Sequence, residues 1–502
     1  MSTSINLGLT RIYSILDLLD KPYQRLSVVH IAGTNGKGSV SAYIDQIIMK
    51  SGFKTARFNS PHLIEPYDSI KINGQPIQKD DYNKTYNLIN VVNSNNHIGA
   101  SPFELLTATA IWWFDFQKVD LAIIEVGLGG RLDATNVFES PNLCIITSIG
   151  MDHMNFLGNN IEAVSKEKAG IMKTGCKVVI APQIEQVAEN TLKKYSEDIG
   201  CSQVVFARPA TWKSEIVGLA SMELLNKTQF EFFIPLKGDF QLENAATAIL
   251  AIDLLRKTEY KFSTITNDHI KNGIACTQWP GRLQWVDISK IVKLTKTFQV
   301  LVDGAHNPPA AKVLRNYVDK QLQLQNKEIT KTCNVCWIFA ATEGKDISKI
   351  LELLMRNGDS LFAVRFTNVE GMPWVKCYNS QVILECVNSL EQKVNSKVVD
   401  SLGEAFGQAF AGYNKQYQIV VLCGSFVECK KRVPAWIIHK WTKRLLEISI
   451  DLGSKLEPKL GYKYIQSSYL FEVVTSFINR PTKMCGIDKR LKRCKGDLAA
   501  GK

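Results

Sequence analysis

The sequence has 502 residues, of which 45% are hydrophobic and 22% charged, and a net charge of +12. That length exceeds one ordinary core, so two or three domains of a globular protein are expected, and no apolar run reaches the roughly 20 residues of a membrane span. The charge is concentrated: from Lys431 to Lys502 sixteen Lys or Arg stand against six Asp or Glu, so +10 of the net charge lies there. A nearly neutral body argues against nucleic acid as its partner.

In chain order, Leu9, Ile12, Ile15, Leu16 and Leu19 stand at helical spacing, with Arg11, Asp17 and Asp20 among them. This is not a secretory hydrophobic region, and the acids argue against a transit peptide. A cytoplasmic protein is therefore expected, with a mitochondrial pool as the second location. The apolar run Val28–Ala32 then stops at Gly33-Thr34-Asn35-Gly36-Lys37-Gly38-Ser39. Val40, Tyr43, Ile44, Ile47 and Ile48 follow at helical spacing, closed by Gly52. Strand, glycine loop and helix start is the arrangement that presents backbone N–H groups and a positive helix end to phosphate. The spacing is not that of the ordinary P-loop, because two residues separate Gly33 from Gly36 and Gly38 intervenes before Ser39.

Further runs at Leu121–Val126, Leu143–Ser148 and Lys177–Ala181 alternate with helical patterns at 39–51, 103–117, 161–172 and 184–197. This predicts a parallel sheet with helices on both faces, in which ligands sit beyond the carboxyl ends of the strands. Val204–Phe206 and Phe230–Ile234 read as short strands and Leu242–Leu255 as a helix. Trp279-Pro280-Gly281-Arg282 reads as a turn. A boundary is expected at 288–297, after which the alternation restarts with strands at Phe298–Val302, Val335–Ala340, Ser360–Phe366 and Gln418–Leu422. Helices are expected at 308–323, 346–356 and 402–411. The predicted domains are thus 1–295, a smaller α/β domain at 296–430, and a basic extension at 431–502. Twelve cysteines are scattered without a framework, which suits a reducing compartment. The single CxxC, Cys333 to Cys336, runs into Trp337-Ile338-Phe339 and reads as part of a buried strand.

Two strand ends carry chemistry beside the loop. Ile123-Ile124-Glu125 delivers a carboxylate ahead of Gly127-Leu128-Gly129-Gly130. A carboxylate near a phosphate loop is a natural magnesium ligand, with Ser39 supplying a hydroxyl. Ile146-Thr147-Ser148-Ile149-Gly150-Met151-Asp152-His153 brings His153 to the same strand-end face. Lys166-Glu167-Lys168 lies on a helix, where a solvated charged face is the default reading.

Taken together these stretches resemble one family, the folylpolyglutamate synthase and dihydrofolate synthase group of the Mur ligase superfamily. The matching motifs are His30 to Ser39, Glu125 to Asn136, Ser148 to His153, Lys168-Ala169-Gly170, Pro280-Gly281-Arg282 and Asp303 to Pro308, in the family's order. The resemblance covers roughly residues 7 to 428. It implies a Mur-ligase-like fold: an N-terminal parallel-sheet P-loop ATPase domain with a smaller Rossmann-like α/β domain. It also implies ATP- and Mg2+-dependent joining of a pteroate or folate carboxyl group to L-glutamate through an acyl phosphate. Gly33, Thr34, Asn35, Gly36, Lys37, Gly38 and Ser39 would hold the ATP phosphates, with Lys37 on the outer ones. Ser39, Glu125 and His153 would ligate magnesium, with two ions expected. Lys168 matches a lysine that the family carbamylates into a metal-binding group, which replaces the solvated-face reading at that position. The resemblance makes Lys37, His153 and Lys168 the catalytic candidates.

Asn244 and Arg282 match nucleotide contacts, while Asp303 and His306 match residues that close over the nucleotide. The stretch Phe58 to Ile72, with Asn59-Ser60-Pro61-His62-Leu63, is similar to the family's mobile loop near the pterin. Asn35 is similar to the residue common in dihydrofolate synthases and in bacterial bifunctional enzymes, and the opening Ile5 to Ile12 and the Asn59–Leu63 stretch resemble fungal dihydrofolate synthases, which implies addition of the first glutamate to dihydropteroate. Chain extension on tetrahydrofolate, or both activities, is the alternative, and a general P-loop NTPase or kinase is the distant one. A monomer is expected, with no membrane partner. The resemblance ends near residue 430, and the basic extension reads as an appendage.

Overall fold

A computed structural model describes residues 7–62, 65–152, 154–289, 297–325, 334–366, 375–413 and 417–425. His153, Leu63, Cys333, most of the expected boundary at 288–297 and the whole extension 431–502 lie outside the described residues. Those described all fall in one compact unit.

The first sheet has eight strands: β1 Val28–Ala32, β2 Thr55–Phe58, β3 Ile70–Ile72, β4 Gln75–Pro76, β5 Leu121–Glu125, β6 Leu143–Ile146, β7 Lys177–Ile180 and β8 Gln203–Phe206. Their order is β4-β3-β2-β5-β1-β6-β7-β8. The six from β2 to β8 run parallel, while β3 and β4 add an antiparallel edge. All five residues of β1 and of β5 are buried, as expected of central parallel strands covered on both faces. The chain leaves β1 toward β2 on one side and later returns to add β6 on the other. The carboxyl end of β1 is thus the switch point where a crevice opens.

Helix Lys37–Lys50 packs on one face with helices Phe240–Thr258 and Asn267–Ala275. Helices Ile161–Ala169 and Gln186–Asp198 cover the other. Local chemistry starts several of these helices. Ser101 accepts from Glu104 N at 3.2 Å while the Glu104 carboxylate accepts from Ser101 N at 2.7 Å, a reciprocal cap ahead of Pro102–Phe116. Asn160 accepts from Ala163 N at 2.8 Å ahead of the helix that carries Lys168.

Strands β9 Thr211–Ser214, β10 Leu219–Glu223 and β11 Gln229–Phe233 form a small antiparallel sheet. The expected strand at 204–206 is not part of it; as β8 it pairs in parallel with β7 at the edge of the large sheet. A six-stranded sheet follows: β12 Gln284–Asp287, β13 Gln299–Asp303, β14 Val335–Ala340, β15 Ser360–Ala363, β16 Asn395–Val398 and β17 Ile419–Gly424. Its order is β12-β13-β17-β14-β15-β16, with only the β12–β13 pair antiparallel. β12 belongs to this sheet although it precedes residue 296. Helices Pro308–Gln325, Ile347–Leu354 and Ser380–Asn388 pack on one face and Leu402–Gly412 on the other. Cys336 is buried in β14, as the apolar run predicts.

Candidate active site

Both glycines that open the loop adopt positive φ, +144° at Gly33 and +94° at Gly36. Space is also short there. A Cβ at Gly33 would lie 1.9 Å from Thr147 Oγ1, and one at Gly36 would lie 2.4 Å from Asn244 Oδ1. The loop is fastened to the end of β6: Thr34 N and Asn35 N donate to Ser148 O at 2.9 and 3.1 Å. The Thr34 hydroxyl donates to Gly150 O and accepts from Gly150 N, each at 3.0 Å. Gly36, the residue before helix Lys37–Lys50, provides no side-chain cap, so the helix start is open to an anion.

Two lysines converge on one carbonyl. Lys37 Nζ folds back to donate to Gly33 O at 3.0 Å and Thr34 O at 3.2 Å, and Lys168 Nζ donates to Gly33 O at 2.8 Å. Lys168 is buried, not solvated, on the inward face of its helix, whereas Lys166 pairs with Glu162 on the outward face. Burial, then the charge of Lys37, pushes the Lys168 amine down to about 7. Glu125, buried at the end of β5, stands 4.0 Å from Lys37 Nζ and accepts from Asn59 Nδ2 at 2.6 Å. Burial raises its pKa, opposed by Lys37 and then by the Asn59 hydrogen bond. Ser39 Oγ accepts from Gln241 Nε2 at 3.4 Å, and Gln241 Oε1 accepts from Asn244 Nδ2 at 3.2 Å.

The segment bearing the second sheet reaches the same place. Lys345 Nζ donates to Asp152 Oδ1 at 2.6 Å, and Asn307 Nδ2 donates to Asn35 Oδ1 at 3.2 Å and to Asp152 Oδ2 at 3.4 Å. His306 Nε2 stands 3.9 Å from Asp152 Oδ2, its ring oriented by a 2.7 Å hydrogen bond between Nδ1 and Gly304 O. Burial, then Lys345, holds its pKa below the ordinary histidine value. Asp303 Oδ2 accepts from Leu283 N at 2.8 Å; burial raises this carboxyl's pKa, and Arg282 opposes the rise.

The structure thus gathers Gly33–Ser39, Glu125, Lys168 and Asn244 around one loop, with Arg282, Asp303 and His306 arriving from the second sheet's side. Asp152, Asn307, Lys345 and Gln241 join them and were not singled out from the sequence; Asn59, expected only as part of the pterin loop, joins them through Glu125, and Trp279, read only as part of a turn, through Gly38. Asp152 and Asn307 adjoin His153 and His306, so their motifs carried a signal; Lys345 carried none. Among the described residues no three His, Cys, Asp or Glu side chains are placed to hold a metal ion by themselves.

Residues 31–252 match the Mur ligase middle domain, and residues 284–431 match the model described as dihydrofolate synthetase, C-terminal domain. A phosphate-type loop at the switch point of the first sheet, met by residues from a second α/β sheet, is thus a ligase architecture of the Mur type. The sequence is 38% identical over 421 residues to a probable dihydrofolate synthetase of Schizosaccharomyces pombe, covering 84% of this chain and 96% of that one. It is 34% identical over 431 residues to dihydrofolate synthetase of Saccharomyces cerevisiae, covering 85% and 97%. Folylpolyglutamate synthase of Mycobacterium tuberculosis complexed with ADP superposes with a TM-score of 0.70 at 26% identity, over 85% of this chain and 94% of that one. A bifunctional folylpolyglutamate synthase/dihydrofolate synthase of Yersinia pestis, complexed with AMPPNP and Mn ion, gives 0.66 at 25% identity, over 85% and 92%. The chain belongs to the dihydrofolate synthase and folylpolyglutamate synthase family of ligases.

Proposed function

We propose that this protein joins L-glutamate to 7,8-dihydropteroate at the expense of ATP, forming dihydrofolate through an acyl phosphate. The observation that carries the reading is the likeness to two fungal proteins named for dihydrofolate synthesis, which spans 96% and 97% of their lengths. The glycine loop supports it, since its open helix start and Lys37 suit the phosphates of a nucleotide. Lys37, now on the carbonyls of Gly33 and Thr34, exchanges those contacts for the outer phosphates. Arg282, Asp303, His306 and Asn244 flank the nucleotide, and Lys345 and Asn307 hold the second body against Asp152 and Asn35. That arrangement shields the acyl phosphate from water.

The oxygen donors fit a hard divalent cation such as Mg2+, as one or two ions. The Ser39 hydroxyl and the buried Glu125 carboxylate lie on the loop's rim, and such ions take few protein ligands together with substrate phosphates. His153 and Lys168 complete the proposed set. A bound ion offsets phosphate charge as it transfers. Lys168, with its lowered pKa, offers the neutral amine that carbon dioxide needs to form a carbamate. The chain divides into two ligase bodies joined between helix Asn267–Ala275 and β12, followed by the basic extension 431–502. The protein acts as a cytoplasmic monomer without a membrane partner, and its body takes no nucleic-acid partner.

A second reading, chain extension on tetrahydrofolate or both activities, is favoured by the likeness to the bifunctional Yersinia pestis enzyme. ADP release with glutamate present, comparing dihydropteroate with tetrahydrofolate, separates them. Release with dihydropteroate alone is expected. Equal or greater release with tetrahydrofolate overturns the first reading, and release with neither acceptor overturns both.

A further inference from the structure

The glycine between Lys37 and Ser39 has no counterpart in the ordinary phosphate loop, and its φ is not in the left-handed region. Its reason is space. A Cβ at Gly38 would lie 2.5 Å from Cζ2, 3.0 Å from Cε2 and 3.2 Å from Nε1 of Trp279. No real side chain tolerates the first distance, and an indole that is half-buried against the core has little room to retreat.

The same indole has a second partner. The Arg57 guanidinium lies over its ring, 4.9 Å from the centroid, within cation–π reach. Arg57 is buried on β2 and pairs at 3.4 Å with Asp45, which is on the same helix as Gly38. Trp279 is therefore held on the first turn of the loop helix from two directions.

Beyond this indole the chain approaches the second sheet, running from Trp279 through Pro280 and Gly281 to Arg282. Gly281 O accepts from Gly304 N at 3.1 Å, and Leu283 N donates to Asp303 Oδ2 at 2.8 Å. The segment is thus tied to the phosphate loop at one end and to the Asp303–His306 turn at the other.

We propose that Trp279 is a positioning residue of the ligase reaction. Packed on Gly38 with Arg57 over its ring, it sets where Arg282 and Asp303 stand relative to Lys37 and Ser39. Gly38 is glycine because Trp279 occupies the space of its side chain. The proposal rests on the reading that this loop holds ATP. Misplacement of a positioned group by about 1 Å costs on the order of a hundredfold in rate, which gives the scale of the effect.

The test uses the full-length chain as Gly38→Ala, Trp279→Ala, Trp279→Phe and the double Gly38→Ala/Trp279→Ala. Each is assayed for ADP release with dihydropteroate and glutamate, for equilibrium binding of a non-hydrolysable ATP analogue, and for thermal midpoint. Gly38→Ala is expected to lose about a hundredfold in kcat/KM. The double variant is expected to perform no worse than Trp279→Ala alone, because the new methyl enters the vacated space. Trp279→Ala should lower kcat by about tenfold or more at a temperature where it is fully folded, with KM for glutamate unchanged, and Trp279→Phe should restore most of it. Losses that multiply in the double variant, in analogue binding and thermal midpoint as well as in turnover, overturn the pairing. Trp279→Ala with unchanged kcat overturns the positioning role. A wild type that binds the analogue but releases no ADP counts against the assigned reaction, while the Gly38–Trp279 pairing is still decided by binding and thermal midpoint.

Discussion

His30 is fully buried in β1, directly ahead of the glycine loop, with Nε2 3.0 Å from the Thr135 hydroxyl. Its Nδ1 has no hydrogen-bond partner among the described residues. Burial first, and the charge of Lys173 second, lower its pKa from 6.5 to about 3. The unfolded chain therefore binds the extra proton between those two values while the folded chain does not. Stability contributed by the neutral ring is fully present above 6.5 and is lost as pH falls toward 3. His30→Gln keeps a polar group of similar size and takes up no proton. At about 1.36 kcal/mol per proton per pH unit, the wild type should lose about 2 kcal/mol relative to the variant between about pH 7 and pH 5. Urea unfolding followed by far-UV circular dichroism at several pH values in this range measures the difference directly. The constant cost of the substitution cancels, and only the slope matters. Stability curves that stay parallel would mean that His30 titrates normally, and the reasoning from burial fails.

Four other outcomes are expected. Glu125→Gln should lower ADP release by about a hundredfold or more and raise the Mg2+ requirement with folding intact, since it replaces the buried carboxylate proposed to hold the ion with a neutral amide; near-normal turnover removes Glu125 from the proposed ion-binding set. Lys345→Met breaks a 2.6 Å pair with Asp152 whose side chains are 13% and 12% exposed, so kcat/KM should fall by about tenfold or more while ATP-analogue affinity changes little. Asp359 accepts from Arg315, Val335 N, Trp337 Nε1 and Arg356 N in the second body, and Asp359→Ala should cost about 3–5 kcal/mol in urea unfolding, against less than about 1 kcal/mol if the pair is dispensable. A chain ending at residue 430 should keep its turnover, and loss of activity with folding intact would assign the basic extension a role in the reaction.

The strands that are buried throughout, β1, β5 and β14, were legible because a parallel strand covered on both faces needs no pattern beyond a short, largely hydrophobic run. The loop's phosphate chemistry was legible too, since glycines, Lys37 and Ser39 stand consecutively in the chain, and Glu125 announced itself as a carboxylate ending an apolar strand. Strand β2 was not: Arg57 interrupts it, and that charge is tolerable only because Asp45 meets it from the neighbouring helix. Helix Asn267–Ala275 carries Gly273, which reads as a breaker until Ile47 is seen packed where its Cβ would be, 2.4 Å from the Ile47 Cα. Lys168 differs from Lys166 by half a helical turn, and only packing distinguishes the buried lysine from the solvated one. The sequence alone determined the two alternating α/β regions and the phosphate loop, because local order and hydrophobic period decide those. Which distant residues meet at the loop, among them Asp152, Lys345 and Trp279, depends on contacts between segments far apart in the chain. The extra glycine at 38 is therefore an irregularity in the sequence that only Trp279, in three dimensions, explains.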